Sequence, residues 1–129
     1  MRTANDLVDA ARERIKEIQV EHFAALSEAR PLLIDVREPN EFAEGHVRGA
    51  INLPRGLLEF KILSHPELAG SSAEEPASHA ARPIVVYCQT GGRAALAADS
   101  LQQLGFSKVQ SLAGGITAWK EAGFPVVTD

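Results

Sequence analysis

Apolar and polar positions along the chain alternate with two different periods. Leu7, Ala11, Ile15 and Ile18 recur at helical spacing with Arg, Glu and Lys between them, which predicts a helix over residues 1–17 with one apolar face. Thr3 or Asn5 can cap it, and Asp6 suits its positive end. With a single apolar stripe, this helix is expected to lie across the outside of a body formed by residues 18–129. Ile18-Gln19-Val20 is a short alternating segment, and residues 21–29 return to a helical pattern. After Pro31, Leu32-Leu33-Ile34-Asp35-Val36 is a buried-strand run with one carboxylate in it. Arg37-Glu38-Pro39-Asn40 is turn chemistry, and Pro39 suits the first turn of a short helix through Glu44 that Gly45 ends. Ala50-Ile51-Asn52-Leu53 predicts a strand stopped by Pro54. Residues 56–63 predict a helix with Leu57, Leu58, Phe60, Ile62 and Leu63 on its apolar side.

Residues 70–82 show no apolar period and predict a polar surface loop within one domain, since neither side holds enough chain for a separate core. Ile84-Val85-Val86-Tyr87 is the most strongly β-branched run and ends at Cys88. A helix over about 92–104 follows, closed by Gly105 with Phe106 folding back on Leu101. Lys108-Val109-Gln110-Ser111-Leu112 predicts the last strand. Gly114-Gly115 opens a final helix through Ala122, which Gly123 stops, with Phe124 reaching Trp119. Strands alternating with helices predict an α/β fold, a mostly parallel central sheet with helices on both faces. Ligands of such sheets bind beyond the carboxyl ends of the strands, and Cys88 stands at such an end.

The totals narrow the class. At 129 residues the chain is about one domain, long enough to bury most of the surface its unfolded form exposes. A net charge of -4 leaves no basic surplus, which argues against nucleic acid as a partner. No apolar run approaches the length of a membrane span, and the first six residues lack the apolar core of a secretory signal. Cys88 is the only cysteine, so an internal disulfide or a multi-cysteine metal site is excluded. His22, His65 and His79 are too scattered to hold a metal. A single free thiol fits a reduced, cytoplasmic setting.

The segment Cys88-Gln89-Thr90-Gly91-Gly92-Arg93 carries the chemistry. A lone cysteine after a β-branched run is ordinarily a small buried hydrophobe. A packing role, however, needs neither the two glycines nor the following charge. The loop feeds a helix N-terminus with its partial positive charge. Gly91 and Gly92 let backbone N–H groups turn toward one point. Arg93 supplies a fixed cation that either points into this cradle or braces its wall. All three favour the thiolate, the reactive form of cysteine, and all three suit an oxyanion beside it.

The same segment resembles the active-site loop of the rhodanese-like sulfurtransferases. The resemblance extends to Leu33-Ile34-Asp35-Val36-Arg37-Glu38, Glu41-Phe42, Gly45-His46-Val47 and Gly49-Ala50-Ile51-Asn52-Leu53-Pro54. It continues in Leu112-Ala113-Gly114-Gly115-Ile116, Trp119 and Gly123-Phe124-Pro125-Val126, so it spans about 18–127 with the motifs in order. It implies the three-layer rhodanese-like fold and sulfur transfer through a cysteine persulfide. By that resemblance Cys88 takes the outer sulfur of a small anionic donor such as thiosulfate and passes it to cyanide, a thiol or a sulfur-accepting protein. The N–H groups of residues 89–93 would stabilise the charge, Gln89, Thr90, Gly91 and Gly92 would line the substrate, and no metal or organic cofactor is implied. Relatives that hydrolyse phosphate esters have five residues between Cys and Arg, whereas four stand here. Ala94 occupies a position where many sulfurtransferases carry Ser, so one hydroxyl hydrogen bond to the sulfur is expected to be missing. A sulfur carrier or sensing module is the alternative to an enzyme. A small phosphatase or arsenate reductase on the same fold is a further one, although no second cysteine exists for an intramolecular arsenate-reducing disulfide.

Around this loop, Asp35 and Arg37 are read as a structural ion pair or as turn hydrogen bonds, and the resemblance likewise gives them a supporting place. His46 reads as a turn residue with a satisfied ring, and Trp119 with Phe124 as helix-stop packing. Arg55, after Pro54 at a strand end, is a candidate rim residue that would attract an anionic donor.

Overall fold

The computed structural model describes residues 1–26, 30–69 and 80–129. In chain order the helices are α1 (Ala4–Arg12), α2 (Val20–Ala25), α3 (Pro39–Glu44), α4 (Leu58–Lys61), α5 (Pro66–Ala69), α6 (Gly92–Leu104) and α7 (Gly115–Glu121). The strands are β1 (Lys16–Ile18), β2 (Leu32–Asp35), β3 (Ile51–Asn52), β4 (Ile84–Tyr87) and β5 (Val109–Leu112). They form one five-stranded sheet in the order β1-β5-β4-β2-β3, and every pairing is parallel. Strand β4 is central, paired with β2 on one side and β5 on the other.

Alternation along the strands sorts the core into two layers. Ile34, Val36, Ile84, Val86 and Cys88 face the layer holding Leu58, Ile62, Ala94, Ala98 and Leu101. Leu33, Val85 and Tyr87 face the other, with Phe23, Ile116 and Trp119. The even-numbered side of β4 therefore carries Cys88 toward α6, just past the carboxyl end of the strand.

Three expected elements change. The helix predicted over 1–17 ends at Arg12, and the chain then enters the sheet as β1, paired with β5. Ile15 and Ile18 continue the apolar spacing of the helix, but they belong to the turn and the strand. Lys16 and Glu17 are exposed on this edge strand, so its sequence carries little strand signal. Thr3 caps α1 rather than Asn5: Thr3 Oγ1 accepts the Asp6 N–H (3.1 Å) and Asp6 Oδ2 accepts the Thr3 N–H (2.8 Å). The helix predicted over 56–63 shortens to α4 plus a 3-10 turn, Ile62–Ser64. Leu58 and Ile62, one turn apart, are buried, whereas Leu57, Phe60 and Leu63 lie off that face and are exposed. The helix expected over 21–29 stops at Ala25, with Leu26 already extended, whereas α3, α6 and α7 end where expected, with Gly105 and Gly123 closing the last two and Phe106 and Phe124 bonding back to Leu101 and Trp119. The predicted polar loop over 70–82 and the last residues of the segment 21–29 lie largely outside the described residues. Among the described residues no helix is long and apolar enough to cross a membrane.

Candidate active site

Cys88 leaves β4 and is 2% exposed. Its Sγ accepts the Gly91 N–H at 3.1 Å and the Ala94 N–H at 3.4 Å. Gly91 is the N-cap of α6 and has a φ of 127°, a conformation that side chains disfavour. No side chain caps this helix; the sulfur instead takes one of the donors that the first turn leaves without an intrahelical partner. The N–H groups of Gly92 and Arg93 belong to the same turn and likewise lack intrahelical acceptors. The site is thus a thiol at the positive end of a 13-residue helix.

The loop is fixed from its oxygen side. The Cys88 carbonyl accepts the Ile116 N–H (3.0 Å), and the Gln89 carbonyl accepts the Thr117 N–H (3.1 Å). These contacts satisfy first-turn donors of α7. The approach is so close that a Cβ on Gly115, whose φ is 61°, would stand 2.5 Å from both carbonyl oxygens. Gln89 adds a side-chain tie, donating to Thr117 Oγ1 (3.0 Å) and accepting from Arg37 Nη1 (3.4 Å). Thr90 lies exposed at the loop tip.

A family model described as the rhodanese-like domain matches residues 19–122. The chain belongs to the rhodanese-like family. A sulfurtransferase of Allochromatium vinosum is 34% identical over 96 residues, covering 74% of this chain and 78% of that protein. The thiosulfate sulfurtransferase GlpE of Shewanella oneidensis is 34% identical over 108 residues, covering 83% of this chain and 94% of that one. Among solved structures, a Rhodopseudomonas palustris protein of unknown function, described as a possible tyrosine phosphatase, superposes with a TM-score of 0.80 at 30% identity over 98% of this chain and 96% of that one.

Two arginines beside the rhodanese-like loop, Arg93 and Arg37, are each paired with a carboxylate. Arg93 makes a bidentate pair with Glu41 of α3 (2.7 and 3.1 Å), so it braces the wall of the loop. Hydrogen bonding to Arg93 holds the Glu41 carboxyl down to about 2, and the same contact raises the guanidinium. Arg37 is buried on Asp35 (2.7 Å from Nη2 to Oδ2) and donates to the Gly45 carbonyl (2.7 Å). Burial works against its charge, but hydrogen bonds and the charge of Asp35 more than offset this, leaving it raised. Beneath the pair, burial first and the Asp35 charge second push the Tyr87 phenol up, and its oxygen accepts the Val47 N–H.

Arg55 is not gathered at the loop. Its guanidinium joins Glu59 (2.9 Å) and Ser100 Oγ (3.0 Å), tying α4 to the middle of α6. His46 stacks on Phe42 and its Nδ1 meets the Phe42 carbonyl at 2.8 Å, a satisfied ring. Trp119 donates to the Pro125 carbonyl and packs on Phe124. Sequence reasoning assigned no part in the site to Glu41, Thr117 or Gly115. Glu41 and Gly115 stood inside the quoted motifs, and only the fold shows what they touch.

Proposed function

We propose that this chain is a sulfurtransferase that moves a sulfane sulfur from an anionic donor such as thiosulfate to a thiophilic acceptor, cyanide or a thiol, through a persulfide on Cys88. The observation that carries the reading is a solitary sulfur accepting two backbone N–H groups at an otherwise uncapped helix N-terminus. The Cys88 thiolate attacks the outer sulfur of thiosulfate, the S–S bond of the donor breaks with its electron pair, and sulfite departs. The negative charge moves to the outer sulfur of the persulfide, where first-turn N–H groups of α6 stabilise it as an oxyanion hole would. The acceptor then attacks that outer sulfur and returns Cys88 as the thiolate. Cyanide would leave as thiocyanate. Membership of the rhodanese-like family and relatives named sulfurtransferase support this class of chemistry. A free thiol that must cycle through a persulfide also suits a reduced, cytoplasmic setting.

The neighbour described as a possible tyrosine phosphatase motivates a second reading, phosphate-ester hydrolysis. The four residues between Cys88 and Arg93 argue for the smaller sulfur cargo. Intact-protein mass after exposure to thiosulfate is the test. The wild type should gain one sulfur atom and Cys88→Ser none, and cyanide should then release thiocyanate over many turnovers. A single loading without turnover would make the protein a sulfur carrier. Hydrolysis of a generic aryl phosphate without sulfur loading would overturn the proposal.

A further inference from the structure

The N-terminal helix reaches the rim of the Cys88 loop. It is seated on α6 by the buried Ala11 and by Arg14, whose Nε and Nη2 meet the two carboxylate oxygens of Asp99 at 2.9 and 2.7 Å. Gln102 adds a bond to the Arg14 carbonyl (3.0 Å). This seating brings Val8 and Arg12, one turn apart on α1, over the first residues of α6. A Cβ on Gly92 would lie 3.8 Å from Val8 Cγ2, and a Cβ on Gly91 would lie 3.1 Å from Arg12 Nη2. Gly91 is also the residue whose N–H donates to Cys88 Sγ. Standard bond lengths then place that guanidinium nitrogen no more than about 9 Å from the sulfur.

The charge state of the neighbours singles Arg12 out. Arg93 is paired with Glu41, Arg37 with Asp35, Arg14 with Asp99 and Arg55 with Glu59. The exposed side chain of Arg12 makes no hydrogen bond or ion pair among the described residues. An incoming anion need displace no carboxylate from it. A donor attacked at its outer sulfur from about 3–3.5 Å carries its oxyanion end further out, toward the rim.

We propose that Arg12 receives the oxyanion end of the sulfur donor, so that α1 is part of the active site and selects anionic donors. The assignment rests on the sulfur-transfer reading. As the donor S–S bond breaks, charge accumulates on the departing sulfite, and a fixed guanidinium there stabilises it.

The test compares Cys88 alkylation by anionic iodoacetate and neutral iodoacetamide, alongside thiosulfate kinetics, in wild type, Arg12→Ala and Arg12→Lys. At low salt Arg12→Ala should lower the iodoacetate-to-iodoacetamide rate ratio about fivefold and raise the thiosulfate KM by about the same factor. Arg12→Lys should restore much of both, and salt should shrink the differences. An unchanged ratio in Arg12→Ala overturns the assignment, as does a sulfur that neither reagent reaches in the wild type. Loss of the iodoacetate preference in a protein that never loads sulfur from thiosulfate would instead overturn the sulfur-transfer reading while leaving Arg12 as the anion-selecting residue.

Discussion

Two neighbouring helix N-termini in this molecule are finished in opposite ways. Helix α3 follows β2, starts with Pro39, and has Glu41 Oε1 accepting the Glu38 N–H at 3.0 Å. Helix α6 follows the adjacent strand β4, starts at two glycines and has no side-chain cap. At α3 the polar demand is met by the segment's own residues, and the arginine beside it, Arg37, is buried against Asp35. At α6 a sulfur occupies the capping place, and two further N–H groups of the first turn lack intrahelical acceptors. The difference teaches that the proposed sulfur chemistry would draw on an unfinished cap rather than on an exotic side chain. Glu41 joins the two ends, because the oxygen that caps α3 also accepts from Arg93 of α6 (2.7 Å).

The comparison breaks most completely at the sulfur. Cys88→Ser should fold normally but load no sulfur, read by intact mass, since a hydroxyl in the same cradle is a far poorer nucleophile at neutral pH. If the finished end is held by a buried pair, Asp35→Ala should cost about 3–5 kcal/mol, because it leaves Arg37 charged and without a counter-ion in the interior. Urea unfolding would show this as a lower midpoint, and a loss below about 1 kcal/mol would mean that the pair is not the support it resembles. Gly115→Ala should cost about 1–3 kcal/mol and slow Cys88 alkylation, since the new methyl must push the Cys88 and Gln89 carbonyls off α7.

The smallest effect sharpens the link between the ends. Glu41→Gln should cost under about 1 kcal/mol at neutral pH, the pair being partly exposed. The Glu41 carboxyl is held below its ordinary value of 4.5, to about 2, so its stabilisation is complete above 4.5 and fades as pH falls through about 2. The stability gap between wild type and Glu41→Gln, followed by urea midpoint against pH, should therefore close in that window and not at higher pH.

Much of this was legible in the amino-acid order. Strands β2 and β4 are nearly continuous apolar runs because both sheet faces are covered, and the glycine-ended helices announce themselves. The segment from Cys88 to Arg93 stood out through residue types that packing does not require. Long-range seating was not legible. Lys16 and Glu17 form an edge strand with exposed side chains, so β1 merged with the preceding helical period. Arg55 was placed by its distance from Pro54 along the chain, whereas Glu59 and Ser100 decide where its guanidinium goes. Gly115 read as a helix opener because its true constraint, two carbonyl oxygens from residues 88 and 89, is visible only in three dimensions. An exposed helical arginine such as Arg12 carries no local signal at all.

The tethering of the Cys88 and Gln89 carbonyls to α7 has a consequence for redesign. With the oxygen edge of those peptide planes anchored, the main-chain share of the positive potential at the sulfur is a property of backbone orientation, to which side chains such as Arg12 only add. Thr90, exposed and without a side-chain hydrogen bond among the described residues, is therefore a position where a new acceptor preference can be grafted while the attraction for negative charge stays intact.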